Sequence, residues 1–451
     1  MRKHFLIAAA ALTAAFIVAT PRAQGPFTTA IRGARIVTAA GAPIASGTIV
    51  LRGGLVDAVG ADVAVPADAR VIDGAGLTVY PGLIDMGTTA GIELPRAQAP
   101  EFKTSEEAER WKRDNIFRPQ LEAAEHVRPD AATLTSLASV GITSVLATPP
   151  GEVIKGRSAL VNVSAPEEDP QIGAVADPRP GLVVLRAPVA LHVAFTERPR
   201  GDGYPASLMG VIAFVRQAFL DGQYHQAAMD RYQRVKTGVL RPVFDPALDG
   251  LQPALAGRMP VAFEGETARE ILRDLKMAAE FKLDPIVTGG READQVVTDL
   301  KSRNARVILN LNYPSRPRTL APDADESVRA LRERALAPKT AAALEKAGVL
   351  FAFESNGLRE SKDFVRNAAK AVKEGLPSDA AVRALTINAA RIAGVADRLG
   401  SLEKGKIANV LVTEGDLFDE KMKVKHVFVD GRSVTIEEAP AQRPARGRAG
   451  L

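Results

Sequence analysis

With 451 residues, 46% apolar and 25% charged, the chain has room for one large α/β barrel plus a smaller domain, and its composition is ordinary for a globular protein. Its net charge of +5 does not point to nucleic acid: Arg2, Lys3, Arg22, Arg443, Arg446 and Arg448 lie in the terminal segments, and removing those six charges leaves −1 for the middle. With no cysteine, the chain forms no disulfide and carries no lipoprotein anchor, so its stability must come from its core.

Residues 1–23 read as an export signal. Arg2 and Lys3 precede the apolar run Phe5 to Ala19, and small and polar residues end near Ala23. That run is about 15 residues, against roughly 20 for a membrane span. The expected location is the periplasm or outside the cell, with no membrane attachment once the signal is cleaved.

From Phe27 to Tyr80, short β-type runs alternate with Gly and Asp turns, as in Gly47 to Leu51, the Gly53-Gly54 turn, and Leu55 to Gly60. This texture predicts a small β-sandwich. It returns near the other end, in Asn409 to Val412 and Val424 to Val429, followed by the turn Asp430-Gly431. Residues 25–80 and 400–437 are therefore read as one discontinuous β domain built from both chain ends. Residues 81–399 form a separate α/β region, and 438–451 a solvated, disordered tail.

Between the two β segments, strand and helix patterns alternate, as a parallel α/β fold requires. Strands are predicted at Ile142–Leu146, Leu182–Leu185, Met259–Phe263, Pro285–Val287, Arg306–Leu311 and Val349–Phe353. Helices are predicted at Ala131–Val140, Ala206–Val235, Thr267–Phe281, Glu292–Ser302, Ala324–Ala347, Lys362–Glu374 and Ser378–Ala393. Leu208, Val211, Ile212, Val215 and Phe219 make the apolar stripe of the longest of these.

The β region meets the α/β region at Val79-Tyr80-Pro81-Gly82-Leu83-Ile84-Asp85-Met86-Gly87-Thr88-Thr89. This stretch resembles the Pro-Gly-(Leu/Phe)-(Ile/Val)-Asp-x-His-x-His signature of the amidohydrolase superfamily. A second resemblance lies in Leu385 to Arg391 and Gly400 to Asn409, where the family's Ala-Asp-Leu-Val appears as Ala408-Asn409-Val410-Leu411. The resemblance spans about residues 27–437 and implies an α/β fold. That fold is a (β/α)8 TIM-like barrel with a small discontinuous β-sandwich, as in exported amidohydrolases akin to imidazolonepropionase and related deacylases. The implied chemistry is hydrolysis of non-peptide or dipeptide-like C–N bonds by metal-activated water.

The ligand positions contradict that chemistry. The two His positions of the first barrel strand are Gly87 and Thr89, and the fifth-strand His position is Glu264. The sixth-strand His position is Gly289, and the eighth-strand Asp position is Asn356, whose amide is no base. No fourth-strand ligand can be named. The expectation is a catalytically degenerate member, a pseudoenzyme that binds a small-molecule ligand or acts as a partner subunit. An intact amidohydrolase paralogue is the natural partner, with homo- or hetero-oligomers a family-level expectation. No cofactor is expected, and Zn or another divalent cation only with a rearranged site.

The alternative is an active hydrolase with a carboxylate-based site around Asp85, Glu264 and Glu354, with Asn356 beside them. A bare structural role is the third reading. Set against the carboxylate site is a structural pairing of Glu264 and Glu354 with Arg316 and Arg318, filling the vacated pocket. Gly151 to Val163 resembles a loop-and-strand of exported members, and places Lys155 and Arg157 as candidate contacts for a substrate carboxylate. His192 ends the apolar run Ala190 to Ala194, where a lone His is commonly a core residue. There is no Gly-x-Ser-x-Gly elbow, Walker loop or Rossmann loop.

Overall fold

A computed structural model describes residues 28–89, 91–94, 99–163, 182–235, 237–321, 323–434 and 436. The export signal at 1–23 and the tail at 438–451 lie outside the described residues.

Both chain ends contribute to one eight-stranded sheet. Its N-terminal members are Thr28–Ile36, Ile44–Arg52, Leu55–Gly60, Arg70–Asp73 and Leu77–Pro81, and its C-terminal members are Val410–Glu414, Lys423–Val429 and Arg432–Val434. The two ends join where Val410–Glu414 runs antiparallel to Leu77–Pro81, with Val410 opposite Pro81 and Val412 opposite Val79. The sheet branches at Thr28–Ile36, which pairs with Arg70–Asp73 along its first half and with Leu77–Pro81 at its end. Ile31, Ile36, Ile49, Leu51, Val79, Val410, Val412 and Phe428 alternate along these strands and share one buried cluster. Gly53 and Gly54, at φ 58° and 83°, make the two-residue hairpin turn that needs left-handed backbone at both positions.

The barrel has eight staves. The first and second, Leu83–Thr88 and Ile142–Ala147, run parallel. The third is antiparallel and bent: Ala159–Val163 pairs with the second stave, and Ile154–Arg157 with the fourth, Leu191–Ala194. Parallel pairing then resumes through Val261–Gly265, Pro285–Gly289, Arg306–Asn310 and Phe351–Glu354. The ring closes where the Ser355 backbone N–H, just past the eighth stave, donates to Asp85 Oδ1 of the first at 2.8 Å.

Three expectations are corrected. Leu182–Arg186 is an edge strand antiparallel to Ala159–Val163 and outside the ring. The stave that leads into the long helix Leu208–Arg234 is Leu191–Ala194. The helix expected over 324–347 is split into Val328–Leu336 and Thr340–Ala347 by a 3-10 turn carrying Pro338, which has no N–H for a continuous ladder. The helix expected over 378–393 breaks at Thr386, at φ −135° and ψ −95°, into Ser378–Leu385 and Ile387–Ile392.

Alternation along the staves sets up the site. Ile84, Leu146, Leu160, Ala262, Ile286, Ile308 and Ala352, from every stave but the fourth, form one buried apolar cluster that plugs the barrel. One pleat further along, the residues two positions on are Glu264, Thr288, Asn310 and Glu354, and all four line the cavity above the plug.

Candidate functional site

The cavity at the C-terminal mouth of the staves has a volume of about 250 Å³. Its walls include Gly87, Thr89, Lys155, His192, Glu264, Glu266, Arg273, Gly289, Glu354 and Asn356. Sequence motifs from distant parts of the chain therefore converge here, in the position where barrel folds place their chemistry.

The two glycines in the His positions are not empty space. A Cβ placed on Gly87 would collide with the Glu354 carboxylate and lie 3.0 Å from Glu354 Cβ. A Cβ on Gly289 would lie 2.8 Å from Glu266 Oε1 and 2.9 Å from its Cδ. Two glutamate side chains thus occupy the volume in which imidazoles would stand.

The charged groups divide into paired and unpaired. Lys155 forms an ion pair with Glu264. Glu266 lies 3.8 Å from Arg291. Glu270 is used locally: with Thr267 it completes the capping box of helix Ala268–Phe281, accepting from the Glu266 and Thr267 backbone N–H groups at 3.0 and 2.9 Å. Arg273 stacks over Phe195, 4.7 Å from the ring centroid. Glu354 is 5% exposed and has no ion-pair or hydrogen-bond partner for its carboxyl group among the described residues. Burial holds that carboxyl well above the usual range, and the negative charges of Glu264, Asp85 and Glu266 add to the effect.

His192 is 2% exposed, and its buried Nε2 has no hydrogen-bond partner. Burial, followed by the charge of Lys155, pushes its pKa down to about 3, so the imidazole is neutral near pH 7.

Asp85 lies beneath the cavity and does not face it. It accepts from the backbone N–H groups of Gly87 at 3.2 Å and Ser355 at 2.8 Å, and from Ser355 Oγ at 2.5 Å. Burial raises its pKa to about 6 against the pull of those bonds. Its visible work is to tie the first stave to the eighth.

Three expected contacts are placed elsewhere. Arg157 does not line the cavity and pairs with Glu122 at 2.9 Å; Gly156, at φ 124°, interrupts the alternation that would have put it on the same face as Lys155. Arg316 pairs with Glu326 at 2.9 Å in the connection after the seventh stave. Arg318 is exposed in that connection, and neither arginine lines the cavity. The cation expected from Arg316 and Arg318 is supplied by Lys155. Glu266 and His192 were not among the expected site residues.

Among the described residues, no three His, Asp or Glu side chains converge as a metal-holding group. With Glu264 tied to Lys155 and burial raising the Glu354 carboxyl well above the usual range, this donor set does not fit the Zn-type ion of the family's hydrolases.

Asp274, beneath Gly265, is fully buried with both carboxylate oxygens lacking hydrogen bonds, and Arg273 Nε stands 4.0 Å away. Burial raises its pKa well above 3.8. A raised folded pKa gives stability that is complete below the unfolded value and is lost as pH rises through the folded one. Asp274→Asn is therefore expected to stabilise the protein by about 1–2 kcal/mol at pH 7.5. Urea unfolding should show that gain shrinking toward pH 4; a loss at pH 7.5 would contradict it.

The fold and site define a TIM-like barrel with a composite β domain and a polar mouth whose expected ligand positions are replaced. The amidohydrolase family model matches residues 202–434, just over half of the chain. The chain belongs to the amidohydrolase family. It is 24% identical over 398 residues to the amidohydrolase tasK of Hapsidospora irregularis, covering 84% of this chain but only 38% of that relative's length. An amidohydrolase structure from Thermotoga maritima MSB8 superposes with a TM-score of 0.72 at 23% identity, covering 91% of this chain and all of that one. A prolidase complexed with N-methylphosphonate-L-proline gives 0.53 at 18% identity, over 91% of this chain and 100% of its own.

Proposed function

We propose that this protein is an exported, catalytically degenerate amidohydrolase that binds a small polar ligand at the barrel mouth and does not hydrolyse it. The observation that carries the reading is the filling of both glycine positions, Gly87 by Glu354 and Gly289 by Glu266. A substitution that merely lost a ligand would leave a hole. Here the volume is taken by carboxylates from neighbouring staves, and the cavity above them remains open. The Lys155–Glu264 ion pair and the raised pKa of the Glu354 carboxyl also disfavour a bound metal ion that would activate water.

The test is metal analysis of the purified mature chain, with hydrolysis assays on N-acyl amino acids and dipeptides in the presence of added Zn. Substoichiometric metal and no turnover are expected. Stoichiometric Zn with turnover abolished by Glu264→Ala would overturn the reading. Cell fractionation tests the export: the chain is expected outside the cytoplasm, and a purely cytoplasmic chain of full length would contradict that part.

A further inference from the structure

The cavity wall holds two unmet polar groups on opposite sides of the barrel, Glu354 at the end of the eighth stave and His192 on the fourth. Among the described residues, Glu354 has no partner for its carboxyl group, and His192 has a buried, unpartnered Nε2. Around them the charges do not balance. Lys155 is used by Glu264, and Arg273 is flanked by the buried carboxylate of Asp274 and by Glu270. Arg291 forms an ion pair with Glu266 at 3.8 Å. Four glutamates in the wall, Glu264, Glu266, Glu270 and Glu354, are met by three cations, Lys155, Arg291 and Arg273, and the carboxyl group left without one is that of Glu354.

From this geometry, and resting on the ligand-binding reading above, we infer that the cavity takes a small organic cation: an alkylammonium or diammonium group donating N–H to Glu354, Glu266 and His192 Nε2. An ammonium has three donors and no acceptor, which matches two carboxylates and a neutral imidazole nitrogen. It also supplies the positive charge that the wall lacks, in a water-poor site where a charge-assisted hydrogen bond is strong. An anionic ligand would meet the unopposed Glu354 and cations already engaged by the other glutamates. A neutral amide would leave the excess negative charge uncompensated. The volume of about 250 Å³ equals roughly eight waters at about 30 Å³ each, which suits a short chain rather than a peptide.

Three probes decide the matter by titration calorimetry on the intact mature chain: 1,4-diaminobutane, propionate and acetamide. The diamine is expected to bind, and propionate and acetamide to give no heat. Glu354→Gln should weaken diamine binding about 10- to 100-fold, and Glu266→Gln should act in the same direction. Circular dichroism and thermal melting establish that each variant is folded. His192→Phe gives a second variant that leaves the carboxylates in place, and it too should weaken the diamine. Binding of propionate or acetamide with no response to the diamine would overturn the cation while leaving the ligand-binding reading intact. Diamine binding unchanged in both folded glutamate variants would place the ligand elsewhere and overturn the inference. Zn-dependent turnover would remove the reading on which it rests.

Discussion

Asn409→Asp is expected to lower the unfolding free energy by about 3 kcal/mol at neutral pH, a large fraction of a typical domain's stability. Asn409 is 2% exposed and sits at the joint between the β domain and the barrel. Its Nδ2 donates to Ser144 Oγ at 3.1 Å and to Asn162 Oδ1 at 2.8 Å, both on barrel staves. Its Oδ1 accepts from the Asp430 backbone N–H at 3.0 Å, and Asn162 Nδ2 donates to Asp430 Oδ1 at 2.8 Å. Ser144 Oγ donates to Asn162 Oδ1 at 2.8 Å. Aspartate would remove both donors and set a buried charge against Asn162 Oδ1 and close to the Asp430 carboxylate. Flipping Asn162 to meet it would break the bond to Asp430, so no rearrangement satisfies the whole network. The family signature has Asp in this position, and here Asp430 supplies the network's carboxylate instead. Urea unfolding should show the loss at pH 8 and a smaller one near pH 5, where the new carboxyl is protonated more readily. Unchanged stability at both pH values would show that the joint does not depend on this network.

How much of this was legible in the sequence depends on which physical signal carried it. The Pro-Gly turn, the apolar staves and the two β-rich ends are local patterns, and each lands in the expected element. The inward-facing Glu264 and Glu354 follow from alternation with period two along Val261–Gly265 and Phe351–Glu354. Leu182–Arg186 misled because an apolar run of that length suits an edge strand as well as a stave, and only pairing distinguishes them. Arg316 and Arg318 have the right charge for the cavity's glutamates, but neither reaches its wall. The connection after the seventh stave carries its own acid, Glu326, which captures Arg316 at short range.

Glu266 was missed because it belongs to no motif. It lies just past the fifth stave, and its side chain reaches the sixth-stave glycine only in three dimensions. The signal that would have found it is volumetric: a glycine in a ligand position of a closely packed barrel must have its space filled by a neighbour. In the sequence, His192 reads as a core residue at the end of an apolar run. It is buried as such a residue would be, but its unpartnered nitrogen is a property of the assembled pocket, invisible in an apolar run.

The same volumetric argument gives the sharpest test of the replaced site. Gly87→Ala is expected to destabilise the wild-type background by about 1–3 kcal/mol, because the new methyl group collides with the Glu354 carboxylate and stands 3.0 Å from its Cβ. Gly87 does not need a left-handed backbone, so the effect isolates packing, whereas Gly289, at φ 90°, would add backbone strain to any side chain. Glu354→Ala alone removes a carboxyl whose ionised form burial disfavours and leaves a small cavity. In that background the alanine at 87 finds the carboxylate gone, and the double variant should recover about 1–2 kcal/mol relative to the sum of the singles. Equal destabilisation by Gly87→Ala in both backgrounds would mean that Glu354 does not fill the first ligand position. A recovered double variant would mean that the position was closed by exchange between adjacent staves. Restoring a histidine at 87 would then fail to rebuild a metal site unless Glu354 were removed with it.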